Sequence, residues 1–63
     1  MKPGTHVKIE WLAMKEGATG TVESTERRGT DLGYNIRLDQ PDENGNTERW
    51  VPAYGVHRER GAR

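Results

Sequence analysis

For a serine or cysteine nucleophile with a histidine base, this chain of 63 residues offers one serine, two histidines and no cysteine. Pairing Ser24 with His6 or His57 and an acid would assemble a hydrolytic arrangement, yet no nucleophile-elbow context surrounds Ser24. A solvent-facing strand serine is the expectation. The histidines share neither a strand nor a close spacing, so a metal site is not expected and both read as surface residues. No catalytic residue, no cofactor and no small-molecule substrate is predicted, and the chain reads as a non-enzyme.

The acidic segment Asp42-Glu43-Asn44-Gly45-Asn46 invites a test against a twelve-residue calcium loop. Setting Gly45 at the turn glycine puts Asp42 and Asn44 at ligand positions. It also puts Gln40 first and Val51 twelfth, where a bidentate carboxylate is required, and no helix flanks the segment. The match fails, and Asn44-Gly45 reads instead as a tight hairpin turn.

The remaining chemistry is aromatic and cationic. If Trp11, Trp50 and Tyr54 converge with Lys8, Lys15, Arg49 and Arg58, they form a stacking platform with charged edges. Such a platform suits single-stranded nucleic acid or RNA, where each stacked base contributes about 1–3 kcal/mol. The same residue types dominate protein–protein hot spots. Trp11 and Trp50 have a plainer use as well, because a barrel poor in Leu, Ile and Phe needs large side chains to plug its ends.

Short strands must position these groups. Thr5 to Glu10 alternates, with Val7 and Ile9 on one face and Lys8 and Glu10 on the other. Trp11 to Gly17 breaks that alternation and reads as a long loop with room for one helical turn. Gly17 to Glu26 enters a second strand, with Gly20 marking a bulge or a close backbone approach. Arg27 to Gly33 reads as a polar turn. Tyr34 to Asp39 is the clearest strand, with Tyr34, Ile36 and Leu38 on one face. Thr47 to Val51 is a fourth strand, stopped by Pro52. Pro52 to Gly55 is a single 3₁₀-like turn before a last strand, Val56 to Arg58. The predicted core is Val7, Ile9, Leu12, Val22, Tyr34, Ile36, Leu38, Val51 and Val56, with Ala18 and Ala53 filling gaps.

Composition bounds the answer. Leu, Ile and Val number nine and Phe is absent, so the core is thin, and a chain this short buries only about 60% of its unfolded surface. Ten basic residues balance ten acidic ones. That balance argues against disorder driven by net charge and against coating nucleic acid by bulk electrostatics. The longest apolar stretch, Trp11 to Met14, is far short of a membrane span or a signal-peptide core. A cytoplasmic protein without membrane contact is expected. Residues 1–63 form one domain, with 1–4 a lead-in and 60–63 a frayed tail.

Two segments resemble known small-barrel families. Gly4-Thr5-His6-Val7-Lys8-Ile9, followed by Gly17-Ala18-Thr19-Gly20-Thr21-Val22-Glu23, is similar to the KOW-type motif of ribosomal proteins and transcription elongation factors. Arg49-Trp50-Val51-Pro52-Ala53-Tyr54-Gly55-Val56 resembles the strand, 3₁₀ turn and final strand that close SH3-like barrels. In signalling SH3 domains the Pro and Tyr of that segment help to line a groove for proline-rich peptides. Here Pro52 and Tyr54 stand one residue closer together, and the aromatic and acidic first-loop motif is missing. Small plasmid-borne dihydrofolate reductases also build on such barrels, but their substrate-binding Val-Gln-Ile-Tyr stretch has no match in Thr47 to Val51, and that activity is rejected. The resemblances imply an all-β fold, a small five-stranded SH3-like barrel with a short 3₁₀ turn before the last strand. They imply a binding or adaptor module in a transcription or translation context, with a protein–protein module or small subunit of a larger assembly as the alternative. Trp11, Trp50, Tyr54, Lys8, Lys15, Arg49 and Arg58 are the expected partner-binding residues.

Overall fold

A computed structural model describes residues 1–59. Five strands and one short 3₁₀ turn follow in order: β1 (His6–Ile9), β2 (Thr19–Arg28), β3 (Asp31–Leu38), β4 (Glu48–Pro52), the 3₁₀ turn (Ala53–Gly55) and β5 (Val56–Arg58). All pairings are antiparallel, in a single sheet of order β4-β3-β2-β1-β5. The expected all-β class and five strands are therefore present. The sheet is not closed by hydrogen bonds, and β4 and β5 are its two edges. Only three residues join those edges, so the sheet must curl to bring them together.

Alternation does what period-2 patterning predicts. Val7 and Ile9 are buried while His6 and Lys8 are exposed. Val22 and Ile36 pair across β2 and β3, and Tyr34 faces Val51 across β3 and β4. Val7, Ile9, Val22, Ile36, Leu38, Val51 and Val56 make the buried core, with Trp11, Met14, Ala18 and Tyr34 packed against it. Gly20 supplies a close approach, because a Cβ there would meet the Arg37 carbonyl oxygen at 2.5 Å. The bulge itself lies at Glu23, between Val22 and Ser24. An extra residue on β2 there shifts which side chains face the core.

Three expectations are corrected. Leu12 is not core: it is fully exposed, at 104% of its reference area. An i to i+3 bond, from the Met14 amide to the Trp11 carbonyl at 2.9 Å, turns Trp11 and Met14 inward and leaves Leu12 and Ala13 at the tip. Arg27 to Gly33 is not a turn, since β2 and β3 continue to Arg28 and Asp31 in register. The turn is Gly29-Thr30 alone, with Gly29 at φ 63°, a glycine-first two-residue hairpin. The tight turn expected at Asn44-Gly45 forms, with the Gly45 amide donating to the Asp42 carbonyl at 2.9 Å and the Asp42 amide to the Asn46 carbonyl at 3.0 Å, but it does not join the strands directly. Residues 39–47 form a longer loop between β3 and β4, organised by Asp42. Its Oδ1 accepts the Asn44 and Asn46 amides at 2.9 and 2.8 Å, a short-range capping that Asp side chains favour in turns.

The lead-in is fastened to the sheet. The Gly4 amide donates to the Val22 carbonyl at 2.8 Å, and the Met1 ammonium donates to the Tyr34 hydroxyl at 3.1 Å. The expected fraying at 60–63 lies outside the described residues. No helix among the described residues is long and apolar enough to cross a membrane.

Candidate functional site

Trp50 leaves β4 on the face opposite buried Val51 and lies against Gly33 of β3. A Cβ on Gly33 would sit 2.5 Å from two atoms of the indole ring, so the absence of a side chain there is what seats the tryptophan. The indole N–H reaches β2 and donates to the Glu26 carbonyl at 2.8 Å. The Arg28 guanidinium lies over the ring, 5.2 Å from its centroid, within the range of a cation–π contact. Trp11, from the loop after β1, meets Trp50 edge-on, with centroids 6.4 Å apart and planes at 83°. That is the T-shaped geometry aromatic pairs prefer.

Glu26 organises this face. One carboxylate oxygen accepts the Asn35 side-chain amide at 2.9 Å and the other accepts Arg28 Nε at 3.0 Å. Those bonds, Asn35 first and then Arg28, hold the Glu26 carboxyl below its usual range. The fixed carboxylate in turn aims Arg28 at Trp50. Nothing in the local sequence singles out Glu26 or Arg28. Their parity with Trp50 follows from the Glu23 bulge and from a strand extension that polar residues on both faces conceal.

The predicted site residues divide into those brought together and those kept apart. Trp11 and Trp50 meet, and Tyr54 lies on the 3₁₀ turn, where a Cβ on the next residue, Gly55, would sit 3.1 Å from Trp11 Cβ and the Gly55 carbonyl accepts the Glu10 amide at 2.8 Å. Tyr54 is 72% exposed, whereas both tryptophans are half-buried. Lys8 borders the groove that Trp11 and Leu12 line, with Glu10 3.7 Å from its ammonium. Lys15 and Arg49 share another groove with Asp42. Arg49 is bound to the nearly buried Asp42 carboxylate at 3.0 Å. Arg58 stands apart at the end of β5, near Lys2 and His6. The seven residues therefore do not form one platform, and the cation over Trp50 is Arg28, outside that set.

Ser24 Oγ accepts from the Asn35 amide at 2.9 Å, so its partner is an amide and not a base. Among the described residues no group of three or more His, Asp or Glu side chains is placed to hold a metal ion.

No family model matches the chain, no curated protein matches it, and no solved structure matches its fold.

Proposed function

We propose that this chain is a non-enzymatic binding module, an SH3-like curled sheet that docks a protein partner on the surface formed by Trp11, Leu12 and Tyr54. The observation carrying this reading is the contrast between those residues. Trp11 meets Trp50 edge-on, while its chain neighbour Leu12 and Tyr54 of the 3₁₀ turn project into solvent. Trp and Tyr are the residue types enriched among interface hot spots, and exposed apolar area beside them adds to what a partner can cover. The charges around them are largely internally paired: Lys8 with Glu10, Arg28 with Glu26 and Arg49 with Asp42. Paired cations have little left to offer a phosphate backbone, whose binding depends on releasing counterions to free Lys and Arg.

One observation favours the nucleic-acid reading suggested by the KOW-like segment. Arg28 stacked on Trp50 forms a cationic aromatic surface. A base would have to stack on the guanidinium or displace it. A photo-crosslinking residue at Leu12 separates the two readings when combined with an indole NMR titration using single-stranded DNA and RNA at low salt. The expected result is a discrete protein adduct that disappears in a Trp11→Ala background, with no oligonucleotide-induced indole shifts. Salt-sensitive shifts of the Trp50 indole without a protein adduct overturn the reading in favour of nucleic acid.

A further inference from the structure

His6 carries the least expected geometry on the molecule. Its Nε2 lies 2.8 Å from Asp39 Oδ2, just beyond the end of β3, and its Nδ1 lies 2.8 Å from Glu59 Oε1, just beyond the end of β5. A carboxylate only accepts, so Nε2 donates to Asp39, and a charged ring also sets Nδ1 beside Glu59 as an ion pair. Thr19 of β2 also donates to Asp39 Oδ2, at 2.6 Å. One ring thus ties together residues from four parts of the sheet.

We propose that His6 is a proton-operated latch, whose charged ring pins the β5 end of the sheet and whose neutral ring lets it go. Neutral imidazole keeps one N–H and turns a lone pair toward the other carboxylate. Asp39 retains its bond from Thr19 whatever His6 does. Glu59 is otherwise joined to β1 only by a 3.2 Å bond from its amide to the His6 carbonyl, among the described residues. The Glu59 contact is therefore the one that opens.

The two carboxylates that bond the ring set this direction, against the cations that share its surroundings. Asp39 and Glu59 face the ring from the β3 and β5 ends, Lys2 and Arg58 line the same shallow groove, and Lys8 follows on β1, itself beside Glu10. β2 presents Thr19 and, directly across the ladder, Thr21, neither of which titrates. Asp39, chiefly through its bond to Nε2 and assisted by Glu59, raises the His6 pKa above the ordinary 6.5. A group whose folded pKa is raised contributes its full stabilisation below pH 6.5 and loses it as pH rises through the folded value. The latch is closed below pH 6.5 and opens as pH rises through the raised folded value.

Ring ¹⁵N and amide NMR of the whole chain from pH 5 to 9 tests the latch. The expected result is two protonated ring nitrogens at pH 6 and a His6 midpoint above 6.5. The Glu59 and Arg58 amides should shift at that same midpoint and exchange faster above it. Glu59→Gln, at the end of the last strand and away from the core, should lower the midpoint and abolish the coincident shift. A His6 midpoint at or below 6.5, or Glu59 and Arg58 amides that ignore it, overturns the proposal.

Discussion

Gly33 shows how much can rest on one missing side chain. It is buried, paired with Pro52 on β4 and with Glu26 on β2, and overlaid by the Trp50 ring. Gly33→Ala would place a methyl 2.5 Å from the indole and 2.6 Å from the Val51 carbonyl oxygen. Overpacking of this kind costs about 1–3 kcal/mol. The expected outcome is a lower urea midpoint together with a displaced Trp50 indole resonance. An unchanged indole resonance would show that Trp50 does not depend on this seat. The sequence shows a glycine before a strand and suggests a turn. That it is a seat for an aromatic from another strand depends on the β3–β4 register, which no local pattern contains.

The loop between β3 and β4 is held by one carboxylate more than by its glycine. Besides the two loop amides, Asp42 Oδ2 accepts from the Asn46 side chain at 3.2 Å and from Arg49 at 3.0 Å. The Asn46 amide contributes most, followed by Arg49, and together these donors lower the Asp42 pKa to about 2. With the folded pKa depressed, the stabilisation is complete above the ordinary 3.8 and is lost as pH falls through about 2. Asp42→Asn keeps an oxygen for the loop amides but removes the charge that Arg49 answers. The variant should be less stable than the parent at pH 7, with the two urea midpoints converging as pH is lowered from about 4 to about 2. Parallel curves would show that the carboxylate's charge plays no part. The turn signal in Asn44-Gly45 was legible and placed a reversal correctly. The loop's length was not, because it depends on a bond to Arg49 on the following strand.

As a whole, among the described residues the core is seven buried Val, Ile and Leu side chains with Pro52 buried beside them, few for a fold that must offset the chain entropy of every ordered residue. Ile36 is fully buried on β3, an interior strand flanked by β2 and β4. Ile36→Ala should cost about 2–5 kcal/mol, a large share of the roughly 5–15 kcal/mol a domain possesses. A substantial unfolded fraction by circular dichroism at 25 °C is expected. Leu12→Ala, by contrast, should stay within about 0.5 kcal/mol of the parent, because the leucine covers nothing. If the two variants melt alike, the assignment of Leu12 to the surface is wrong. Composition alone places both residues in the core, since each is an aliphatic near a strand. The turn joining Trp11 to Met14 separates them.

The amino-acid sequence by itself determined what is local. Alternating Val7/Ile9 and Tyr34/Ile36/Leu38, the stop at Pro52 and the short turn before Val56 specify strands, their order along the chain and most of the core, because period-2 burial is written in neighbouring residues. Tertiary structure decided what depends on register. The Glu23 bulge sets which β2 side chains join Trp50 and Arg28, and strand pairing carries His6 to within reach of Asp39 and Glu59, 33 and 53 positions away. Polar side chains carry no periodic signal of their own, and their partners are chosen only when the sheet has formed.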